Sequence, residues 1–259
     1  MEVKFFKTRN CMNAEKSIAA LINRDSSLPG LGLWYGRWGL GKSSVANWIY
    51  SMLPVFYIVV ERLWRPRRLL EEFCDILNLG SPQYRLDRLS DQVAEGLRKW
   101  NQPFLIDEAD YLLKNSVMLD VLRDLHDKTG NPFILIGMEK LHSDLQRFGQ
   151  FFSRILPASI VEFQPVGPNE VAVITKEWTG LTIDHEAADL FCQLVEGDFR
   201  YIVGYLLSFE KACKEVNQTD IIDIPLVKSV FRNQAQKIKK RVTSGSAASK
   251  LITSGRGQS

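Results

Sequence analysis

Apolar positions fall into five short, nearly uncharged runs: Leu31 to Tyr35, Val55 to Val60, Pro103 to Ile106, Pro132 to Ile136 and Ala158 to Phe163. Rich in aliphatic, β-branched and aromatic residues, they have the make-up of strands covered on both faces. Between them the apolar spacing is helical: Asn13 to Ile22, Ser44 to Leu53, Leu69 to Leu79, about Ser90 to Trp100, Leu112 to Lys128, and Leu141 to Phe152. Strand and helix in alternation predict an α/β fold with a five-stranded parallel sheet sandwiched between helices. After Pro168 only helical spacing remains, over Asn169 to Trp178, Asp184 to Glu196, Arg200 to Val216 and Ile224 to about Lys240. The segment from Pro165 to Pro168 therefore reads as the boundary between an α/β domain (1–165) and a small all-helical domain (166–241). A tail over 242–259, poor in apolar periodicity, is expected to be disordered. No internal repeat is visible.

Composition adds one asymmetry. The 259 residues are 45% hydrophobic and 24% charged, as in an ordinary globular protein, with a net charge of +3. Lys228, Arg232, Lys237, Lys239, Lys240, Arg241, Lys250 and Arg256 all follow Asp223, after which no acid occurs. The body is thus mildly acidic and the C-terminal end basic, which points either to a polyanionic partner or to a solubilising tail. Cys11, Cys74, Cys192 and Cys213 are scattered without a C-x-x-C pair, and His126, His142 and His185 have no ligand spacing. Neither a disulfide framework nor a zinc site is expected. The uncharged stretch from Ser43 to Val60 is interrupted by Asn47, Ser51 and Pro54, so it reads as helix, break and strand rather than a membrane span. No signal peptide is recognisable at the N-terminus, and a cytoplasmic location is expected.

The chemistry concentrates in two stretches. Gly36-Arg37-Trp38-Gly39-Leu40-Gly41-Lys42-Ser43 fits G-x-x-x-x-G-K-[ST], the phosphate-binding P-loop, and lies between a strand candidate and a helix candidate, the context that motif requires. Glycines let backbone N–H groups turn inward, and the following helix N-terminus adds partial positive charge. Backbone from Gly36, Trp38, Gly39, Leu40, Gly41 and Ser44 would cradle phosphate, Lys42 would reach the β- and γ-phosphates, and Ser43 would hold Mg²⁺. In Pro103-Phe104-Leu105-Ile106-Asp107-Glu108-Ala109-Asp110, an apolar strand delivers acids to its C-terminal end, where α/β sheets bind ligands. Asp107 would orient Mg²⁺ through water and Glu108 would polarise the attacking water. Together the two stretches predict an ATP·Mg²⁺ site.

With the helical C-terminal part, these motifs resemble an AAA+ ATPase, and within that group the ATP-dependent transposition regulators, the MuB, TnsC and TniB group. The residues carrying the resemblance are Thr8-Arg9-Asn10, Leu28 to Leu33, Gly36 to Ser43, Leu105 to Asp110, Leu122 to Asp127, Ile134 to Leu141 and Phe152 to Ile155. The resemblance implies ATP-dependent self-assembly on double-stranded DNA into helical filaments, target choice and recruitment of a transposase. It implies Arg154 as the finger reaching a neighbour's γ-phosphate, with Arg147 as the rival position, and Arg200 as the lid arginine that reads the γ-phosphate in the same chain. The strand before Gly137 should end in a polar residue, commonly Asn or Thr. Here Gly137-Met138-Glu139 stands instead, which implies slow hydrolysis or Glu139 as substitute. Relatives place DNA-contacting loops after the second strand, where Arg62, Arg65, Arg67 and Arg68 surround Trp64 and Pro66 in what reads as a cationic turn. Lys114 and Arg123 are further candidates for DNA contact. Two other readings fit the same motifs: a helicase-loader ATPase related to IstB and DnaC, acting on single-stranded DNA, and a nucleotide-switched interaction protein with negligible turnover.

Overall fold

The computed structural model describes residues 5–216 and 220–233. The chain divides after Pro165 into two compact units. The first is built on five parallel strands in the order β2-β3-β4-β1-β5. These are β1 (Leu31–Tyr35), β2 (Phe56–Val59), β3 (Phe104–Asp107), β4 (Phe133–Gly137) and β5 (Ile155–Glu162). The helices are α1 (Arg9–Ile22), α2 (Lys42–Met52), α3 (Pro66–Ile76), α4 (Leu86–Trp100), α5 (Ser116–Thr129), α6 (Leu141–Leu145) and α7 (Gly149–Phe152), with a 3-10 turn over Ala109–Lys114.

Alternation along the strands assigns the two faces, because successive side chains point to opposite sides of a sheet. Leu31, Leu33, Phe104, Ile106, Phe133 and Leu135 pack with α3, α4 and α5. Trp34, Leu105, Ile134 and Ile136 pack with Ala14, Ile18 and Leu21 of α1 and Val45, Ala46 and Ile49 of α2. On the first face Phe104 stacks on Phe56 at 4.7 Å and lies 4.9 Å from Phe73 and 5.9 Å from Phe133, measured between ring centroids. On the second, the Trp34 indole donates to Ser17 Oγ at 2.7 Å, so the one polar atom of a wholly buried ring is satisfied.

Several boundaries differ from the periodicity for local reasons. Helix α1 starts earlier than Asn13 because Thr8 caps it, its hydroxyl accepting the Cys11 N–H. The stretch read as one helix from Leu112 breaks at Asn115, which caps α5 by accepting the Val117 N–H. That read as one helix from Leu141 is split into α6 and α7. Strand β5 begins at Ile155, ahead of Pro157, which an edge strand accommodates because its outward N–H has no ladder partner to lose. The β1–β5 register jumps from Leu31↔Ile155 to Leu33↔Ile160, and Ser159 Oγ bridges the irregularity by donating within reach of Leu31 O (3.0 Å) and Leu156 O (2.7 Å).

The second unit holds α8 (Pro168–Thr179), α9 (His185–Val195), α10 (Phe199–Val216) and helix over 224–233. Its core gathers Phe191, Ile202, Leu206, Phe209 and Val227. Two residues of β6 (Thr182–Ile183) and two of β7 (Ile221–Ile222) form a short parallel ladder that helical spacing did not indicate. The expected disordered tail lies outside the described residues. Among the described residues, no helix is long and apolar enough to cross a membrane.

Truncating Phe104 to Ala should cost about 3–5 kcal/mol, since it removes the ring at the centre of the aromatic cluster and leaves a cavity. A denaturation midpoint shifted by less than a third of that would show the cluster to be loosely packed.

Candidate functional site

A parallel sheet puts the C-terminal ends of all its strands on one edge, and the order given above places β4 between β3 and β1. The loop after β1 and the acids after β3 therefore meet at the same edge, with the β4 tip between them.

The loop after β1 is shaped by glycine. At Gly36 a Cβ would stand 2.8 Å from the Phe163 carbonyl oxygen, so the backbone can pass there only without a side chain. Gly39 and Gly41 have φ of 80° and 85°, the left-handed region. Gly41 then serves as N-cap of α2, and Val45 is the first residue whose N–H bonds back into the helix, to Gly41 O at 2.9 Å. The N–H groups of Lys42, Ser43 and Ser44 precede it and form the free helix N-terminus. A Cβ on Gly41 would meet nothing within 4 Å, so the concavity beside it is open. Lys42 is buried, and its Nζ donates to Gly36 O at 2.7 Å and Arg37 O at 2.8 Å, which holds the ammonium across the mouth of the loop. Ser43, Ser44 and Trp38 are exposed, and Leu40 is buried beneath the loop.

The acids are held with equal definition. Asp107, the last residue of β3, is buried. Its Oδ1 accepts the Glu108 N–H at 2.8 Å and its Oδ2 accepts the Tyr57 hydroxyl at 2.8 Å. Glu108 has φ 55°, ψ 34°, a left-handed conformation uncommon for a long side chain and concentrated at functional sites. Its side chain is exposed, yet desolvation and then the Asp107 and Asp110 charges raise its pKa above the ordinary carboxylate value. Desolvation also raises Asp110. Burial lowers the pKa of Lys42, while Asp107, Asp110 and Glu108 oppose that shift in this order. Tyr57 was not singled out from the sequence, where it lies inside an apolar run. Burial and then Asp107 push its phenol well above the usual tyrosine range, which keeps it a neutral donor.

The site fits a nucleotide phosphate tail with its metal. The open space beside Gly41 would admit phosphate oxygens, the N–H groups at the start of α2 and Lys42 would supply donors, and Ser43 with Asp107 would supply oxygens to a Mg²⁺ ion.

The other predicted residues are distributed as follows. Arg154 lies immediately before β5, hence at the N-terminal edge of the sheet, opposite the phosphate loop. Its guanidinium forms a bidentate pair with Asp127 at 2.7 and 2.6 Å. Arg147 is exposed and 3.5 Å from Asp144. Arg200 is exposed in the first turn of α10, in the second unit, where buried Asp198 caps the helix by accepting the Arg200 N–H at 2.8 Å and the Tyr201 N–H at 3.3 Å. The supposed cationic turn after β2 is in part the start of α3, with Pro66 at its first position. Arg67 and Arg68 are paired one turn on with Glu71 and Glu72, at 2.8 and 2.5 Å. Arg67 also donates to Tyr84 O at 2.6 Å, bringing the 81–85 loop beside the start of α3. Arg62 and Arg65 are exposed, and Trp64 between them is buried as an anchor. Lys114 sits 4.5 Å above the Tyr111 ring. Arg123 is engaged by Asp120 and Asp124, both at 2.9 Å, and by Gln150 at 3.0 Å.

Comparison with known proteins gives the class of the fold. A sequence-family model described as AAA domain matches residues 24–145, just under half of the chain and including both strand-tip motifs. Among solved structures, the chain is similar to the Aeropyrum pernix ORC1 protein in complex with DNA, at 17% identity and TM-score 0.53, over 90% of this chain. It is likewise similar to the Aeropyrum pernix ORC2 protein in its ADPNP–ADP complexes, at 16% identity and TM-score 0.58, over 85% of this chain. The third is the Thermotoga maritima RuvB Holliday junction branch migration motor, at 18% identity and TM-score 0.54, again over 85%. In each case this chain spans 66% of the other's length. No curated protein matches it in sequence. The fold is the α/β P-loop fold of AAA+ proteins.

Replacing Tyr57 with Phe removes a donor from a buried carboxylate, so we expect a stability loss of about 1.5–3 kcal/mol. The Mg²⁺ concentration needed for half-maximal nucleotide binding should shift in the same variant. No change in either would mean that Asp107 is held by the Glu108 N–H alone.

Proposed function

We propose that the chain is a Mg²⁺-dependent ATPase that assembles head to tail on double-stranded DNA and acts as a regulator of DNA transposition, recruiting a transposase to a target. The observation that carries the catalytic part is the meeting, at one sheet edge, of a glycine loop crossed by a buried lysine and an acid pair with Glu108 in a left-handed backbone. Lys42 would neutralise charge on the β- and γ-phosphates, and Ser43 and Asp107 would hold the metal. When bound, Mg²⁺ supplies positive charge to the phosphate oxygens as the γ-phosphoryl leaves. Glu108 accepts a hydrogen bond, and then the proton, from a water whose oxygen attacks the γ-phosphorus while the bond to the bridging oxygen breaks. Desolvation and neighbouring carboxylates raise its proton affinity, which suits it to this role.

Self-assembly is supported by sheet polarity. β1 alone spans roughly 15 Å at about 3.3 Å per residue, so an arginine before β5 is too far from its own phosphate loop to touch the same nucleotide. Arg154 can serve a phosphate only on another copy, and a heterologous contact of that kind closes into a ring or runs on as a filament. For DNA, Arg62, Arg65 and Arg68 are exposed, and Arg67 and Arg68 are held by ion pairs to Glu71 and Glu72 within α3, which leaves Arg62 and Arg65, in the loop before it, as the first candidates. That the ORC1 structure was solved with DNA supports DNA as the polymer. The transposition role rests on the sequence resemblance.

Two tests follow. Lys42→Ala should abolish nucleotide binding and nucleotide-dependent assembly on duplex DNA, seen by electron microscopy. Glu108→Gln should assemble normally and hydrolyse about 10²–10⁴-fold more slowly. Wild-type turnover in Glu108→Gln would remove Glu108 from the mechanism. Separately, a variant with Arg62 and Arg65 both changed to Ala should bind duplex DNA with a salt slope lower by about 2, one phosphate contact for each arginine. An unchanged slope would place the DNA contact elsewhere.

A further inference from the structure

The tip of β4 carries no side chain, and backbone conformation does not require this. Gly137 lies outside the left-handed region, so its backbone would accept other residues. The obstacle is a side chain from the neighbouring strand's exit. A Cβ on Gly137 would overlap Asp110 Oδ2 and stand 2.7 Å from Leu141 Cδ2. That same Asp110 oxygen accepts the Met138 N–H at 2.7 Å. A carboxylate delivered after β3 thus occupies the place a side chain at the end of β4 would take. Because β4 lies between β3 and β1, this place is between Glu108 and the phosphate loop. Among the charged groups acting on Asp110 there are Lys42, which attracts it, and Asp144 and Glu108, which repel it. Glu139, the alternative polar group just past the β4 tip, is exposed.

We propose that Asp110 is a positioning residue for hydrolysis: it supplies, from the β3 side, the polar group that Gly137 lacks, and with Glu108 orients the attacking water against the γ-phosphate. Gly137 is then the partner of Asp110, a residue kept small so that the carboxylate can enter. This rests on the ATPase reading given above.

The experiment measures ATP affinity, turnover and melting temperature in five proteins: wild type, Asp110→Ala, Asp110→Asn, Gly137→Asn, and Asp110→Ala combined with Gly137→Asn. Asp110→Ala should bind ATP within about threefold of wild type and turn over about 100-fold more slowly, the scale expected of misplaced reactants. Asp110→Asn keeps an oxygen for the Met138 N–H and therefore the fold, but loses the charge; its turnover should fall about tenfold at an unchanged melting temperature. Gly137→Asn alone should be as impaired as Asp110→Ala, because the two side chains collide. The double variant should recover at least about tenfold of the lost turnover, since one polar group again stands at the β4 tip. Wild-type turnover in Asp110→Ala would overturn the proposal and leave the ATPase reading intact. A double variant no faster than Asp110→Ala would also overturn it. A wild-type protein that neither binds nor cleaves ATP would instead overturn the ATPase reading, and the proposal with it.

Discussion

One buried ammonium group organises the working edge of this protein. Lys42 Nζ is drawn into the loop by two carbonyl oxygens, and Asp107, Asp110 and Glu108 face it from the exit of β3. Neither party is comfortable alone. Desolvation lowers the lysine's pKa and raises those of Glu108 and Asp110, so the charges on each side make those on the other tolerable. Three carboxylates against one ammonium leave a net negative edge. A Mg²⁺ ion held by Ser43 and Asp107 would relieve that excess, which suits the edge to a metal and a triphosphate together.

The sheet supplies the geometry. Its five strands run parallel, so every loop that follows a strand opens on one edge and every loop that precedes one opens on the other. The first edge collects Lys42, Ser43, Asp107, Glu108 and Asp110. The second collects Arg154 with its Asp127 partner, and near it His126, whose ring nitrogen lies 2.8 Å from Asn131 O just before β4. The glycine loop and Arg154 are thus separated by the length of a strand. A parallel sheet provides that separation without any extra element.

Much of this was legible in the sequence, and the reasons are local. The glycine loop reads directly because its conformational demands are met residue by residue, at Gly36 by crowding and at Gly41 by a left-handed φ. The inner strands β1, β3 and β4 read because they are covered on both faces and so lack polar interruptions, whereas β2 and β5, at the sheet's edges, are partly exposed. The helix starts were harder. Thr8 and Asn115 are ordinary capping residues whose role only the fold reveals, and Pro66 marks the start of α3 although the arginines after it suggested a turn. The pairs Arg67–Glu71 and Arg68–Glu72 have helical spacing and could have announced that start. Tyr57 escaped because a hydroxyl in an apolar run reads as packing until the register sets β2 against β3. The β6–β7 ladder escaped because two residues carry no period.

The least legible feature is the one that ties the edge together. Read along the chain, Gly137 is a missing polar residue and Asp110 a third acid of no assigned use, 27 positions apart. Only adjacency of β3 and β4 shows that the second accounts for the first. An oxygen held at the β4 tip does the same electrostatic work whichever strand supplies it, because the field at the phosphate depends on where the charge stands and not on its route along the backbone. A departure from an expected residue at one position is therefore weak evidence of lost chemistry until the neighbouring strand has been inspected. Here the neighbour's carboxylate both fills the volume and caps the backbone N–H beyond it, and a side chain at Gly137 would have to displace that contact to regain it.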